Sequence, residues 1–167
     1  PTPPRRGVRV SSARLPANRN SFSYSFWYKP LAGKNRSRRM ILSKGRTITI
    51  SHPPNSMRVE ARVGGVRCVS RTSLRRGRAV PITVVVHNSD PKQYLRIYFG
   101  MKQQCKIAHP NKVNTGGAKL RRKPNMNRSP LQVAGKTMSA VGRIAKLYYI
   151  PLDVDICTAF TGHGRNR

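Results

Sequence analysis

Acidic residues are scarce in this sequence: 4 Asp and Glu stand against 34 Lys and Arg over 167 residues, for a net charge of +30. The carboxylates are Glu60, Asp90, Asp153 and Asp155. Only a few of the cations can therefore find an acidic partner within the chain. Because an unpaired buried charge is costly and self-repulsion destabilises a compact chain, this composition predicts a protein that lies against an acidic partner.

The same scarcity excludes most enzymes that depend on carboxylates. A glycosidase needs two carboxylates facing one bond, and the only close pair, Asp153 and Asp155, lies beside Pro151 and a predicted turn. A capping or ion-pair role fits that pair better than catalysis. Nucleophile-elbow, P-loop and dinucleotide-binding glycine motifs are missing. We therefore predict a protein that is not an enzyme and needs no cofactor.

Residues that bind metals are few and scattered. The histidines are His52, His87, His109 and His163. Cys-x-x-Cys pairs do not occur, and four dispersed acids do not supply the converging oxygens that calcium needs. Apolar runs fall far short of the roughly 20 residues of a spanning helix, and the start of the chain has no signal-peptide pattern. We expect a chain that binds no metal and does not cross a bilayer.

The three cysteines, Cys68, Cys105 and Cys157, leave two interpretations open. Cys68 and Cys105 lie in predicted strands that flank a central pair of strands over residues 79–99, so a bridge between them is geometrically reasonable. Alternatively, all three are reduced and act as small core residues, which is the usual state in a cytosolic chain.

Short β-strand patterns dominate the rest of the sequence. Phe22, Tyr24, Phe26 and Tyr28 recur at period 2 and define one face of a strand, with Trp27 on the other face. Residues 82–86 are all β-branched, which is typical of a central strand covered on both faces. Further strands are predicted at residues 40–43, 46–51, 57–63, 66–69, 94–99, 103–108, 131–134, 141–150 and 156–160. Gly, Pro and Asn turns separate these patterns, so the sequence predicts an all-β, two-sheet antiparallel sandwich.

Most aromatic residues follow the strand period, including Tyr94 and Tyr98, and this favours a role in core packing. Stacking with nucleic-acid bases would need exposed aromatic rings between cations. Tyr148 and Tyr149 are compatible with either role.

The predicted organisation has three parts. Residues 1–20 form an extended basic arm in which Val8 and Val10 contribute an edge strand, residues 21–160 form the sandwich domain, and residues 161–167 form a basic tail. Residues 109–130 form a long basic surface loop within the domain.

Four basic clusters lie in the predicted arms and turns. They comprise Arg5 and Arg6; Arg36, Arg38 and Arg39; Arg75, Arg76 and Arg78; and Arg121, Arg122 and Lys123. The planar guanidinium suits bidentate binding of carboxylate or phosphate. We interpret these residues as binding sites for an anionic partner.

Several segments occur in a recognisable order. They are residues 22–28, 41–45, 63–68, 72–74, 80–86, 94–100, 131–133 and 142–149, with Cys105 between the sixth and the seventh. This order resembles the concanavalin A-like (laminin-G-like) jelly-roll domain, in the version found in virion proteins of large nucleocytoplasmic DNA viruses. The resemblance covers residues 20–160. It departs from the family pattern at Phe99, where the family has Asn, and at residues 79–81, where the family has Trp.

The resemblance implies a jelly-roll sandwich in which the two cysteines that match the family pattern, Cys68 and Cys105, are bridged. Such viruses often encode their own thiol oxidases, which would permit this bond in the cytosol. Family members that act as lectins or glucanases use carboxylates for calcium or catalysis, and this chain has none suitably placed. The fold is therefore expected to serve as a scaffold.

Three functions follow as hypotheses. The first is a minor capsid (cement) protein on the inner face of a virion shell. It would bind the major capsid protein, other minor capsid proteins or an anionic internal membrane, with no small-molecule substrate. The second is an RNA-binding structural protein of a ribosome-like ribonucleoprotein. The third and weakest is a carbohydrate-binding module.

Overall fold

The computed structural model describes residues 8–10, 21–31, 36–44, 48–63, 66–89, 92–108, 131–133 and 142–150. Every regular element in these ranges is a β-strand. The strands are β1 (Val8–Val10), β2 (Phe22–Pro30), β3 (Arg39–Lys44), β4 (Ile48–His52), β5 (Glu60–Val63), β6 (Val66–Val69), β7 (Val80–Ser89), β8 (Lys92–Phe99), β9 (Lys102–Ala108), β10 (Leu131–Val133) and β11 (Gly142–Ile150).

The strands form two antiparallel sheets packed face to face. The six-stranded sheet has the order β1-β10-β3-β4-β5-β6, and the five-stranded sheet has the order β11-β2-β7-β8-β9. The predicted all-β, two-sheet architecture is thereby confirmed. β1 lies within the predicted basic arm and pairs with β10 as an outer strand of the larger sheet, as the sequence predicted.

The core lies between the sheets and is built from the alternation seen in the sequence. Phe22, Tyr24, Phe26 and Tyr28 all lie on the inner face of β2 and are at most 5% exposed. Aliphatic side chains of the six-stranded sheet cover them. Burial of aromatic side chains of this size is a dominant favourable contribution to folding.

The β-branched segment is the central strand that the sequence predicted. β7 pairs with β2 on one side and β8 on the other. Val84 and Val86 face the core, while Thr83 and Val85 on the outer face are 0% and 2% exposed. Both faces of β7 are thus covered.

β5 begins at Glu60, three residues later than predicted, although Met57 and Val59 are both buried. The Ser70 side chain accepts a hydrogen bond from the Val59 N–H at 2.9 Å. The Ser70 N–H donates to the Val59 carbonyl at 2.8 Å. A side chain therefore replaces one bond of the regular ladder, and residues 57–59 pack against the sheet without being part of it.

A lysine lies on the inner face of the six-stranded sheet. β3 contains a bulge between Met40 and Leu42, which places Leu42 and Lys44 on the same side as Ile50 and Ile48. Lys44 is 2% exposed, and its ammonium lies 5.9 Å from the centre of the Tyr149 ring. Burial lowers the pKa of the Lys44 amine. The ring face offsets part of the cost of burying this cation.

A disulfide joins the two sheets at one side of the sandwich. Cys68 of β6 and Cys105 of β9 are bonded at 2.03 Å, with their Cα atoms 6.0 Å apart. β6 and β9 are the last strands of their sheets, so the bond closes the side at which the sheets would otherwise separate. This is the pair that the family resemblance implies.

Several predictions concern residues outside the described ranges. They are the strand at 156–160, the loop at 109–130, the tail at 161–167, Cys157, and the Asp153 and Asp155 pair. The described ranges contain no helix that is long and apolar enough to cross a bilayer.

Candidate functional site

The topology collects exposed arginines at one end of the sandwich. β2 and β6 end there, and β3 and β7 begin there. The connecting residues 36–38, 53–59 and 70–79 therefore lie on the same end surface. We call this surface the arginine end; its exposed arginines are Arg36, Arg58, Arg71, Arg75, Arg76 and Arg78.

Backbone hydrogen bonds fix the loop formed by residues 70–79 against both sheets. The N–H of the buried Leu74 donates to the Met57 carbonyl at 3.0 Å. The N–H of Gly77 donates to the Pro30 carbonyl at 2.8 Å. Gly77 has a φ of +77°, a conformation that glycine adopts without strain. The loop therefore presents its arginines from a fixed backbone, which lowers the entropy lost on binding a partner.

Two of the basic clusters predicted from sequence meet at this end. The Arg76 Nε donates to the Leu31 carbonyl at 2.7 Å. This bond ties the cluster of Arg75, Arg76 and Arg78 to the residue that follows β2. Arg39 is not at the surface: it is 6% exposed and lies opposite His52 in the register of β3 and β4. Arg5, Arg6, Arg121, Arg122 and Lys123 lie outside the described residues.

Beside the arginine end, three arginines surround one buried glutamate on the outer face of the six-stranded sheet. Arg38 donates to Glu60, as do Arg62 at 2.5 Å and Arg67 at 2.6 Å. The Glu60 side chain is 0% exposed, whereas those arginine side chains are 31%, 48% and 55% exposed. Burial raises the pKa of the Glu60 carboxyl, but the three guanidinium hydrogen bonds outweigh it, and the pKa lies below its ordinary value.

The Glu60 cluster leaves no free carboxylate for the other cations of the described ranges. Glu60 is the only carboxylate within the described ranges, and both of its oxygens already accept bonds from guanidinium groups. Glu60 lies on the outer face of the six-stranded sheet, and the arginines cover it completely. The cations of the arginine end therefore have no acidic partner in the described part of the chain.

A buried histidine holds the backbone of Arg58 in place. The His52 Nδ1 lies 2.8 Å from the Arg58 carbonyl, so it carries the proton and donates. The His52 Nε2 lies 3.1 Å from the Tyr28 hydroxyl and accepts from it across the two sheets. Burial lowers the pKa of the His52 imidazole; the hydrogen bond to Arg58 opposes this effect, and the Arg39 charge adds to it.

We expect the free energy of unfolding to fall as the pH drops below 6.5, the ordinary pKa of histidine. The unfolded chain then binds a proton that folded His52 resists, and this lowers stability until the pH reaches the folded pKa. Thermal unfolding between pH 7.5 and 5.0 should show a steeper decrease for the wild-type chain than for His52→Gln. Equal slopes for the two proteins would contradict the assignment of this pH dependence to His52.

The outer face of the five-stranded sheet carries aromatic rings that the sequence placed in the core. Tyr94 and Tyr98 alternate with Leu95 and Ile97, and the aliphatic residues occupy the inner face at 0% exposure. Both tyrosines are therefore partly exposed on the outside. The prediction of core packing for Tyr94 and Tyr98 was wrong because the alternate residues of β8 form the more apolar face.

These outer rings form a stack around one arginine. The His87 and Tyr94 rings are stacked with their centres 4.7 Å apart, and the Arg96 guanidinium lies 3.8 Å from the centre of Tyr94. Arg96 also donates to the Tyr98 hydroxyl at 3.3 Å. The outer face of β2 and β7 beside this stack offers no open groove for a ligand. Ser23, Ser25, Thr83 and Val85, which lie between it and β11, are at most 4% exposed.

Metal binding has no support in the described ranges. No group of three or more His, Cys, Asp or Glu side chains comes together there. The exposed arginine and lysine side chains of these ranges donate hydrogen bonds and carry positive charge, so they suit anionic ligands.

Comparison with solved structures places this architecture among known folds. The structure matches a carbohydrate-binding protein, described as putative, from Bacteroides ovatus, with a TM-score of 0.64 and 10% identity; the match covers 90% of this chain and 42% of that protein. The fold is a concanavalin A-like sandwich. At these identities the likeness concerns the fold alone.

Two further matches have a similar extent. The sialidase CBM40 domain of Ruminococcus gnavus, solved with α2,3-sialyllactose, has a TM-score of 0.61 and 9% identity over 95% of this chain and 93% of that domain. Domain 4 of the arabinanase AbnA from Geobacillus stearothermophilus, solved with arabinotriose, has a TM-score of 0.58 and 14% identity over 93% of this chain and 71% of that chain. No family model and no curated protein sequence matches the chain.

Proposed function

We propose that this protein is a non-enzymatic structural component of a larger assembly, and that its arginine end binds an acidic surface of a neighbouring protein. The observation that carries the proposal is the state of Glu60. It is the only acid within the described ranges and already accepts bonds from three guanidinium groups. The counter-charge for the other arginines must then come largely from outside the chain, which has only 4 acids in total.

The assembly that we propose is a virus particle, in which the protein acts as a minor capsid protein on the inner face of the shell. The support is the resemblance to virion proteins in the order of the sequence segments. The sandwich and the Cys68–Cys105 bond that this resemblance implies are both present in the structure. The partners would be acidic surfaces of the major capsid protein or of other minor capsid proteins.

Carbohydrate binding, the role described for the structural neighbours, fits this chain less well. The middle of the outer face of the five-stranded sheet is closed, with Ser23 and Thr83 at 0% exposure. Neutral sugars also need acceptors for their hydroxyl protons, and the exposed charged groups described here are donors.

Arginine footprinting of the native particle tests the proposal. Phenylglyoxal modifies accessible guanidinium groups, and we expect Arg75 and Arg78 to react in the free protein but to be protected in the intact particle. Full reactivity of both residues in the particle would overturn the proposal. Arg62 and Arg67, which bind Glu60 in both states, serve as internal references for reactivity.

A pair of charge-matched variants gives a second test. We expect Arg75→Gln/Arg78→Gln to reduce incorporation into the particle by about tenfold, since several charge-assisted contacts are lost. Lys102→Gln/Lys106→Gln removes the same charge from the exposed positions of β9 and is expected to incorporate normally. Equal incorporation of both variants would show that net charge, rather than the arginine end, determines assembly.

A further inference from the structure

A second exposed surface lies on the outer face of the five-stranded sheet, where β2 and β11 pair. Its residues are all exposed and combine aromatic rings with cations. They are Trp27, Lys29, Arg143, Ala145, Lys146 and Tyr148. We call this surface the corner patch.

The pairing register fixes how the corner patch is arranged. Trp27 lies opposite Ala145, so a small side chain flanks the indole. Lys29 lies opposite Arg143 at one end of the patch. Tyr148 lies opposite Ser25, two residues along β2 from Trp27. From strand rise and spacing, the Cα atoms of Trp27 and Tyr148 are about 8 Å apart.

A bulge in β11 leaves a third cation, Lys146, exposed next to this face. The register shifts between Ala145 and Tyr148, and Lys146 within the shift has a φ of +50°. A regular strand would send adjacent residues to opposite faces, yet Ala145 and Lys146 are both exposed. Positive φ is uncommon for residues other than glycine, asparagine and aspartate, and such bulges often redirect a side chain at a functional site.

Close packing at the end of the patch holds the two strands together. A Cβ atom on Gly142 would lie 2.5 Å from the Lys29 carbonyl oxygen and 2.5 Å from the Tyr28 ring. Only glycine therefore allows β11 to begin against β2 at this point. The patch stands on paired strands rather than on a loop.

We infer that the corner patch binds single-stranded nucleic acid. Bases stack on Trp27 and Tyr148, while Lys29, Arg143 and Lys146 contact phosphates. Rings of this kind interleaved with cations are the general means by which proteins hold single strands without reading their sequence. The only carboxylate in the described ranges, Glu60, belongs to the other sheet and does not repel a phosphate backbone here.

Other ligand classes fit the corner patch less well. A neutral glycan would stack on the rings but find only ammonium and guanidinium donors around them. An acidic peptide would satisfy the cations but leave the two rings unused. Double-stranded nucleic acid keeps its bases stacked inside the duplex, where the rings do not reach them. Of these four classes, only single strands use both parts of the surface.

Intrinsic fluorescence provides a direct test, because Trp27 is the only tryptophan of the chain. We expect a 12-nucleotide oligo(U) to quench the Trp27 emission in a saturable manner at 150 mM salt. Polyglutamate of equal charge should leave the emission unchanged, and a 12-base-pair duplex should quench it much less. Binding of oligo(U) without a change in emission would overturn the inference, as would equal quenching by polyglutamate or by the duplex.

Substitutions at Lys146 and Tyr148 separate binding from folding. Asparagine tolerates positive φ, so Lys146→Asn removes the cation while keeping the backbone. We expect it to weaken oligo(U) binding several-fold and to reduce the slope of log K against log salt by about 0.7, the value for one phosphate contact on a single strand. Tyr148→Ala should weaken binding by about tenfold through the loss of one stacked base.

Lys102→Asn is the matched control, since it removes the same charge from β9 at the far side of the same sheet. We expect its affinity for oligo(U) to stay within twofold of the wild-type value. Identical losses for Lys102→Asn and Lys146→Asn would mean that net charge alone drives binding, and this would overturn the inference. These measurements use the isolated chain, so their outcome is independent of incorporation into a particle.

Discussion

Loss of the bond between Cys68 and Cys105 is expected to lower the free energy of unfolding by about 3 kcal/mol. The bond closes a loop with a sequence separation of 37 and ties together the last strands of the two sheets. Without it, the unfolded chain gains conformational freedom. Urea unfolding of Cys68→Ala/Cys105→Ala, compared with the wild-type protein, measures this difference.

Reduction and thiol counting provide the controls for the disulfide. Dithiothreitol should lower the wild-type unfolding midpoint and leave that of the double variant unchanged. Because the chain has 3 cysteines, a denatured, non-reduced sample should contain one free thiol per chain. A count of three, or a midpoint insensitive to dithiothreitol, would contradict the bond.

Replacement of Glu60 by Gln is expected to lower the free energy of unfolding at pH 7 by about 3 kcal/mol. Removal of one partner from a buried ion pair typically costs about 3–5 kcal/mol. The lower figure applies because the three arginines are partly exposed and can turn into water. Their mutual repulsion without Glu60 makes the loss larger than that of a surface pair.

The pH dependence follows from the lowered pKa of Glu60. Its stabilising contribution is complete above about pH 4.5, the ordinary value for this carboxyl, and is lost as the pH falls through the folded pKa. The stability difference between the wild-type protein and Glu60→Gln should therefore shrink below pH 4.5. Arg58→Gln, a change at an exposed arginine that has no acidic partner among the described residues, should alter stability by less than about 0.5 kcal/mol. A constant difference down to pH 2.5 would contradict the role assigned to Glu60.

The arginine end and the corner patch have different physical requirements. The arginine end presents guanidinium groups on a loop anchored by backbone hydrogen bonds, and this arrangement suits an acidic protein surface. The corner patch combines two rings with three cations on paired strands, and this suits a single-stranded polyanion. The arginine end lies across the end of the sandwich, and the corner patch lies on its face.

Local sequence patterns were sufficient to predict β2 and β7. In β2 large aromatic residues alternate with the small, polar Ser23 and Ser25, so the aromatic face is the one that fills the space between the sheets. In β8 one set of alternate residues contains Tyr94 and Tyr98 and the other contains Leu95 and Ile97. The sequence alone did not show which of the two sets would face inward. The facing sheet decided this, since aliphatic side chains fill the space between the sheets more completely.

Charge, strand period and the absence of catalytic and metal motifs are properties of the sequence alone, because they depend on composition and near neighbours. The tertiary structure decided three further features. They are the surroundings of Glu60, the convergence of residues 36–38 with 70–79, and the exposure of Trp27 beside Lys146. Each of these depends on strand pairings between residues far apart in the chain, or on a bulge that shifts the register by one residue. A one-residue shift reverses the face of every following side chain, and local pattern carries no signal of where that shift occurs.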